Sequence, residues 1–209
     1  DQSLADTAYL NPERNFNTVA ILRDSETIIP HGNDTFKLND HAYFITQPDG
    51  LKRVMNLSGK TRTVVKKIMI LGGSKIGIQT AAQLSGKYKI KMIEQDKDKC
   101  FELADRLPDT LVINGDGRDV ELLLEEGIQN MDAFIAVTGN SETNIISSLV
   151  AKNNQVKKTI ALVENIDYIH LSQNIGVDTM INKKLIAASF IFKHIRKGEV
   201  LDLTSIHGV

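Results

Sequence analysis

Gly72, Ser74 and Gly77 are spaced as in a G-x-G-x-x-G turn with serine in the middle place, and they stand between an apolar run ending at Leu71 and a segment of helical spacing. A glycine turn that opens a helix presents unpaired backbone N–H groups, and the positive end of the helix favours a phosphate there. Gly72 allows the tight turn and Gly77 lets the helix press on the strand, two places where a Cβ obstructs. The amides of Gly73, Lys75 and Ile76 belong to the same turn and first helical residues. About 20 residues further on, Glu94 closes a second apolar run, the place from which a carboxylate accepts hydrogen bonds from ribose hydroxyls and repels a 2'-phosphate. Gln95 follows it. This layout expects a dinucleotide or plain adenine nucleotide, NAD-type rather than NADP. Ser74 is a small departure from the pattern, with a hydroxyl able to donate to a phosphate.

Two further strand ends carry polar turns. TLVIN is followed by Gly115-Asp116-Gly117, and AFIAV by Thr138-Gly139-Asn140. Each alone reads as an ordinary turn, but four polar strand ends at one sheet edge form a ligand crevice. Asp96, Asp119 and Ser141 read as N-caps of the helices that follow them.

These residues need a scaffold that brings strand ends together. From Lys66 onward, apolar runs (KKIMIL, KIKMIE, TLVIN, AFIAV, KTIALV, DTMIN) alternate with segments of helical spacing over 75–85, 97–107, 120–126, 141–152 and 167–174. Strands that are apolar throughout belong to a parallel sheet covered on both faces, so the expected fold is α/β, a doubly wound, Rossmann-like parallel sheet. Residues 183–197 read as a long amphipathic helix, to be packed on its own sheet or on a sister subunit. The first part, to about Ser58, shows short strand signals and turn clusters without helical spacing, a small β-rich (α+β) subdomain. The expected division is 1–58, a linker over 59–65, the Rossmann-like domain over 66–197, and the opening of a further subdomain over 198–209.

Composition narrows the classes. The 209 residues are 42% hydrophobic and 24% charged with a net charge of -1, which gives no general pull toward nucleic acid or anionic lipid. No apolar stretch reaches the roughly 20 residues of a membrane span. The single Cys100, on a helix face, reads as a structural thiol in a reducing compartment. The start DQSLADTAYL lacks a basic region and an apolar core, and it reads as the beginning of an excised piece.

In order and spacing, ILGGSKIG, MIEQD, INGDGRD and AVTGNSETN resemble the RCK (KTN) nucleotide-binding domain of TrkA-type potassium-uptake subunits, over roughly Lys66 to Arg196. The preceding AILRDSETIIPHGNDTFKLNDHAYFIT is similar to the C-terminal RCK subdomain. The resemblance implies the end of a first RCK repeat joined to the nucleotide domain of a second. It implies a regulatory subunit at the inner face of the cell membrane, a homodimer or larger ring, a membrane-embedded potassium-translocating partner, and NAD or NADH as ligand, with ADP or ATP as the alternative. Carried over by motif, Gly72, Ser74 and Gly77 line the diphosphate, Glu94 the adenosine ribose, Asp116 the adenine side, and Thr138 with Asn140 the far phosphate or second ribose. Gly73, Lys75, Ile76, Gln95, Gly117 and Gly139 complete the set. Leu162 departs from the family in a place where relatives often carry a basic residue.

An NAD-dependent oxidoreductase is the competing class, and it needs a proton donor or acceptor beside the nicotinamide. His31, His41, His170 and His194 sit where surface or capping roles suffice, His207 is near the chain end, and no HExxH, CxxC or P-loop pattern occurs. Neither a catalytic residue nor a metal site is expected. A third possibility is an RCK scaffold that binds no nucleotide.

Overall fold

A computed structural model describes residues 3–6, 8–24, 26–59, 64–169 and 176–195. Residues 3–59 belong to one compact unit and residues 64–195 to another. In the first, β1 (Phe16–Arg23) pairs antiparallel with β2 (Glu26–Ile28) on one side and β3 (His41–Thr46) on the other. Its buried centre comes from Ala20, Ile21 and Leu22 of β1. The Arg23 guanidinium, at the end of β1, clasps the Asp40 carboxylate at 2.7 Å and donates to the Thr35 carbonyl, so the turn into β3 is fixed by a charged fork.

One element of this unit escapes the sequence reading. Residues 50–57, expected to lack helical order, form α1 (Gly50–Leu57). Eight residues behind a Pro-Asp-Gly turn give too short a window for the period to show above the turn signals.

The second unit is the expected α/β fold. Its strands are β4 (Lys67–Leu71), β5 (Lys89–Glu94), β6 (Thr110–Asn114), β7 (Ala133–Ala136), β8 (Lys158–Leu162) and β9 (Thr179–Ile181). They form a six-stranded sheet in the order β6-β5-β4-β7-β8-β9, parallel throughout. The helices between are α2 (Lys75–Leu84), α3 (Lys97–Arg106), α4 (Val120–Glu125) and α5 (Ser141–Asn153), and α6 (Lys183–Ile195) follows β9. Successive residues of a strand face opposite sides, and β4 shows why it must be apolar throughout. Ile68 and Ile70 pack in one core with Ala81 of α2 and Leu103 of α3, while Met69 and Leu71 pack in another with Leu123 of α4 and Ala151 of α5. Of the segment read as helix over 167–174, residues 170–174 lie outside the described residues, as do residues 196–209.

Strand order reverses between β4 and β7, since β5 and β6 extend the sheet one way and β7 to β9 the other. Chain leaving those two strands turns in opposite directions and opens a crevice beyond their carboxyl ends.

Candidate functional site

The crevice is a cleft of about 400 Å³ at the carboxyl ends of β4, β5, β6 and β7, within the size range of small-molecule sites. Of the residues expected there, Gly72, Ser74, Glu94, Gln95, Asp116, Gly117, Thr138, Gly139 and Asn140 line it. Gly73, Lys75, Ile76 and Gly77 are not part of the lining. Gly115, from the turn already placed at the crevice, lines it as well, and so do Leu71, Ile93, Lys99, Arg118 and Thr143, which were not among the expected site residues.

The glycine turn is built by close contact. Gly72 has a φ of +100°, and a Cβ there would lie 2.9 Å from the Thr138 amide nitrogen. At Gly77 a Cβ would lie 2.1 Å from the Gly72 carbonyl oxygen, so only glycine lets α2 sit on the end of β4. Gly77 thus works from behind the cleft, shaping its wall. Gly73 is equally hemmed, by Leu103 and by the Glu94 carboxylate. A Cβ on Gly139 would meet open space instead.

The middle position of the turn does not act as expected. The Ser74 hydroxyl donates to the Val137 carbonyl at 2.7 Å and accepts from the Gly77 amide, capping α2. A hydroxyl has one proton, and here it is already used on the protein, so it has none for a phosphate. What the turn offers a ligand is the amides of Ser74, Lys75 and Ile76, which have no hydrogen-bond partner among the described residues.

Glu94 ends β5 and reaches back under the turn. Its Oε2 accepts from the Gly73 amide at 2.8 Å and from Lys99 Nζ at 3.0 Å, and its Oε1 accepts from the Asp96 amide. Burial pushes this carboxyl up, but the Asp96 amide, the Lys99 ammonium and the Gly73 amide outweigh it and hold it below its ordinary value. Oε1, with a single protein donor, retains acceptor capacity for a ligand hydroxyl. Asp96 takes the expected N-cap role on α3, accepting from the amides of Asp98 and Lys99. The Cys100 thiol is half-buried behind Glu94, against its carbonyl, where burial raises its pKa, as suits a structural thiol.

Asp116 is gripped by Arg118, whose guanidinium hydrogen-bonds both carboxylate oxygens at 2.6 to 3.1 Å. Those bonds, with one from the Arg118 amide, hold the Asp116 carboxyl below its ordinary value. Asp119 caps α4 as expected. The cap of α5 is Asn140, whose side chain accepts from the Thr143 amide, and not Ser141, whose hydroxyl accepts from Glu164 instead.

Two residues of α5 hold the cleft's turns in place, and the sequence reading missed both. Asn144, only 1% exposed, accepts from the Thr138 amide and hydroxyl and donates to the carbonyls of Thr138 and Leu162. Ser147, equally buried, donates to the Gly117 carbonyl. Buried polar groups persist when every bond is made, and here those bonds tie the turns after β6 and β7 and the end of β8 to one helix. A signal was present: Asn144, Ser147, Ser148 and Ala151 recur at helical spacing, marking a small and polar inward face.

Among the described residues no cluster of side chains suits a metal ion, and no helix is long and apolar enough to cross a membrane. Of the histidines, His194 lies on α6 against the Phe190 carbonyl, His31 is exposed and His41 opens β3. His170 and His207 lie outside the described residues.

Known proteins agree with this architecture. The chain is 33% identical over 192 residues to the Trk system potassium uptake protein TrkA of Haemophilus influenzae, covering 91% of this chain and 42% of that one. It is 35% identical over 191 residues to TrkA homolog 2 of Methanosarcina mazei, covering 90% of this chain and 43% of the relative. It therefore spans less than half the length of the curated relatives it matches. Among solved structures, the TrkA-N domain of the inner membrane protein ybaL from Escherichia coli superposes with a TM-score of 0.57 at 13% identity, covering 65% of this chain and 100% of that one. The GsuK RCK domain superposes with a TM-score of 0.59 at 16% identity, over 93% of this chain and 42% of that one. The GsuK channel has been solved bound to NAD, with a TM-score of 0.57 at 16% identity over 92% of this chain and 34% of that one. The TrkA-N domain family model matches residues 68–183, more than half of the sequence and all of the cleft, and the chain belongs to that family.

Proposed function

We propose that this chain is the nucleotide-binding, regulatory part of a potassium-uptake system. The cleft takes a diphosphate-linked adenine nucleotide, NAD or NADH, with ADP or ATP as the alternative. The carrying observation is convergence: the turn residue Ser74 with its unpaired amide, the Glu94 carboxylate and the open backbone at Gly139 all line one cleft with an apolar wall of Leu71 and Ile93. The diphosphate lies against the amides of Ser74, Lys75 and Ile76. The adenosine ribose donates to Glu94, adenine lies toward Asp116, and the distal phosphate or second ribose lies along 138–140. A fold neighbour solved bound to NAD supports the choice of ligand.

The titratable groups around the cleft support binding over turnover. Glu94, Lys99, Asp116 and Arg118 are its titratable lining residues, and each acid is already paired with a base. Their partners hold both carboxyls below the ordinary value, which makes each a weak general base. Occupancy acts on the partner by favouring one conformation, to the extent that the nucleotide binds that state more tightly. The partner is a membrane-embedded potassium-translocating subunit, and the chain works at the inner face of the membrane. Residues 1–58 act as part of the C-terminal subdomain of a preceding RCK repeat. A second copy docks on α6, on which no residue is buried and Ile186, Phe190, Ile191, Phe192 and Ile195 are all more than half exposed.

Calorimetric titration of the protein with NADH, NAD, ADP and ATP tests this reading. It expects binding of at least one of them and no change in NADH absorbance over hours. Steady NADH consumption with a small carbonyl compound would mark an oxidoreductase, and a folded oligomer that binds none of the four would mark a scaffold.

A further inference from the structure

We propose that Lys99 sets the tolerance of this site for a phosphorylated ribose, so that it accepts NADPH as well as NADH. The inference rests on the nucleotide reading of the cleft given above. An unaccompanied acid at the end of the second strand rejects a 2'-phosphate by charge repulsion. In this fold the acid is not alone. Lys99, on the first turn of α3, places its ammonium 3.0 Å from Glu94 Oε2 while 39% of its side chain stays exposed at the rim of the cleft.

A ribose whose hydroxyls reach Glu94 carries its 2' substituent within a few ångströms of that ammonium. Glu94 itself is only 12% exposed and directs Oε2 inward to the Gly73 amide, so the charge met at the rim is the lysine's. Asp96, two residues beyond Glu94, spends its side chain on the amides of Asp98 and Lys99 and is absent from the lining. An ammonium on a flexible stem swings from carboxylate to phosphate without losing a partner, because a phosphate oxygen replaces the carboxylate oxygen. Glu94 then keeps its two amide donors, so it stays hydrogen-bonded when Lys99 leaves. Arg118 stands in the same relation to Asp116 on the far side of the cleft, and it leaves that acid neutralised too.

The test is a pair of titrations, NADH and NADPH, on the wild-type chain, Lys99→Gln and Lys99→Arg at one ionic strength. Lys99→Gln is expected to raise the Kd for NADPH roughly tenfold more than that for NADH, the worth of one charge-assisted bond to phosphate, and Lys99→Arg to keep the wild-type ratio. Equal weakening of both nucleotides by Lys99→Gln would reduce Lys99 to a support for Glu94 and overturn the proposal. So would wild-type protein that binds NADH and ignores NADPH. Binding of neither by the wild type would remove the dinucleotide reading on which the proposal rests and overturn it by a different route from a lost preference.

Discussion

The two edges of the parallel sheet are made from the same strands, yet they differ in what they offer a ligand. Beyond the starts of β4, β5 and β6 lies a groove of about 730 Å³, larger than the cleft at the opposite edge, lined by Lys66, Lys67, Lys87, Lys89, Tyr88 and Leu111 among others. Its charges are dispersed on exposed stems. At the carboxyl edge the cleft is smaller, but helix N-termini, glycine turns and two acids point into one space. Backbone direction makes the difference: a strand entering a helix ends in amides aimed outward, and a strand receiving chain from a helix does not. Size alone therefore does not choose between them, and convergence of fixed polar groups marks the carboxyl-edge cleft as the candidate site.

That contrast can be broken most forcefully at Gly77. Replacing it with Val places a side chain against the Gly72 carbonyl, and α2 must lift from β4, with an expected loss of about 3 kcal/mol or more and no measurable nucleotide binding. Chemical denaturation and calorimetry check both, and a normally stable variant would show that the close approach is not required. Asn144→Ala comes next. It strips hydrogen bonds from the Thr138 amide and the Leu162 carbonyl inside the fold, at a cost of about 2 kcal/mol or more, and it slackens the turn at 138–140. The midpoint of urea unfolding should fall and nucleotide affinity with it.

Glu94→Gln probes the acid alone. Nucleotide affinity should fall by about tenfold, since a neutral amide accepts more weakly from ribose, while much of the stability is kept. The pH dependence has a defined sign. The Glu94 carboxyl is held below its ordinary value in the fold, so its contribution to stability is complete above that ordinary value and is lost as pH falls through the lower folded one. Melting temperature followed from pH 7 downward should therefore decline less steeply in Glu94→Gln than in the wild type. The smallest effect belongs to the other edge. Lys87→Glu with Lys89→Glu should change nucleotide affinity by less than about twofold and stability by about 0.5 kcal/mol or less, because both residues are exposed. Affinity lost through that pair would draw the basic groove into the site and erase the contrast.

Much of this was legible because two periods are hard to mistake. The run at 68–71 is apolar on both faces, and a strand buried on both sides reads the same in sequence as in space. Gly72, Gly77, Glu94 and Asp116 were visible because each solves a local problem at a strand end. Lys99 was not, since its ammonium is joined to Glu94 by the geometry of the turn into α3 and by no pattern in the chain. Asn144 and Ser147 read as unremarkable helix polars until the sheet lies against them. Ser74 shows the reverse: its type invited a phosphate, and the nearby Val137 carbonyl took the proton.

The sequence by itself determined the alternation of strand and helix, the place of the glycine turn and the acid that closes the next strand. These follow from local sterics and from the need to bury every apolar face, which act over a few residues. Only the tertiary structure decided which donors and acceptors remain available to a ligand. Hydrogen bonds are exclusive, and whether Ser74 or Glu94 keeps one free depends on partners brought close from distant parts of the chain.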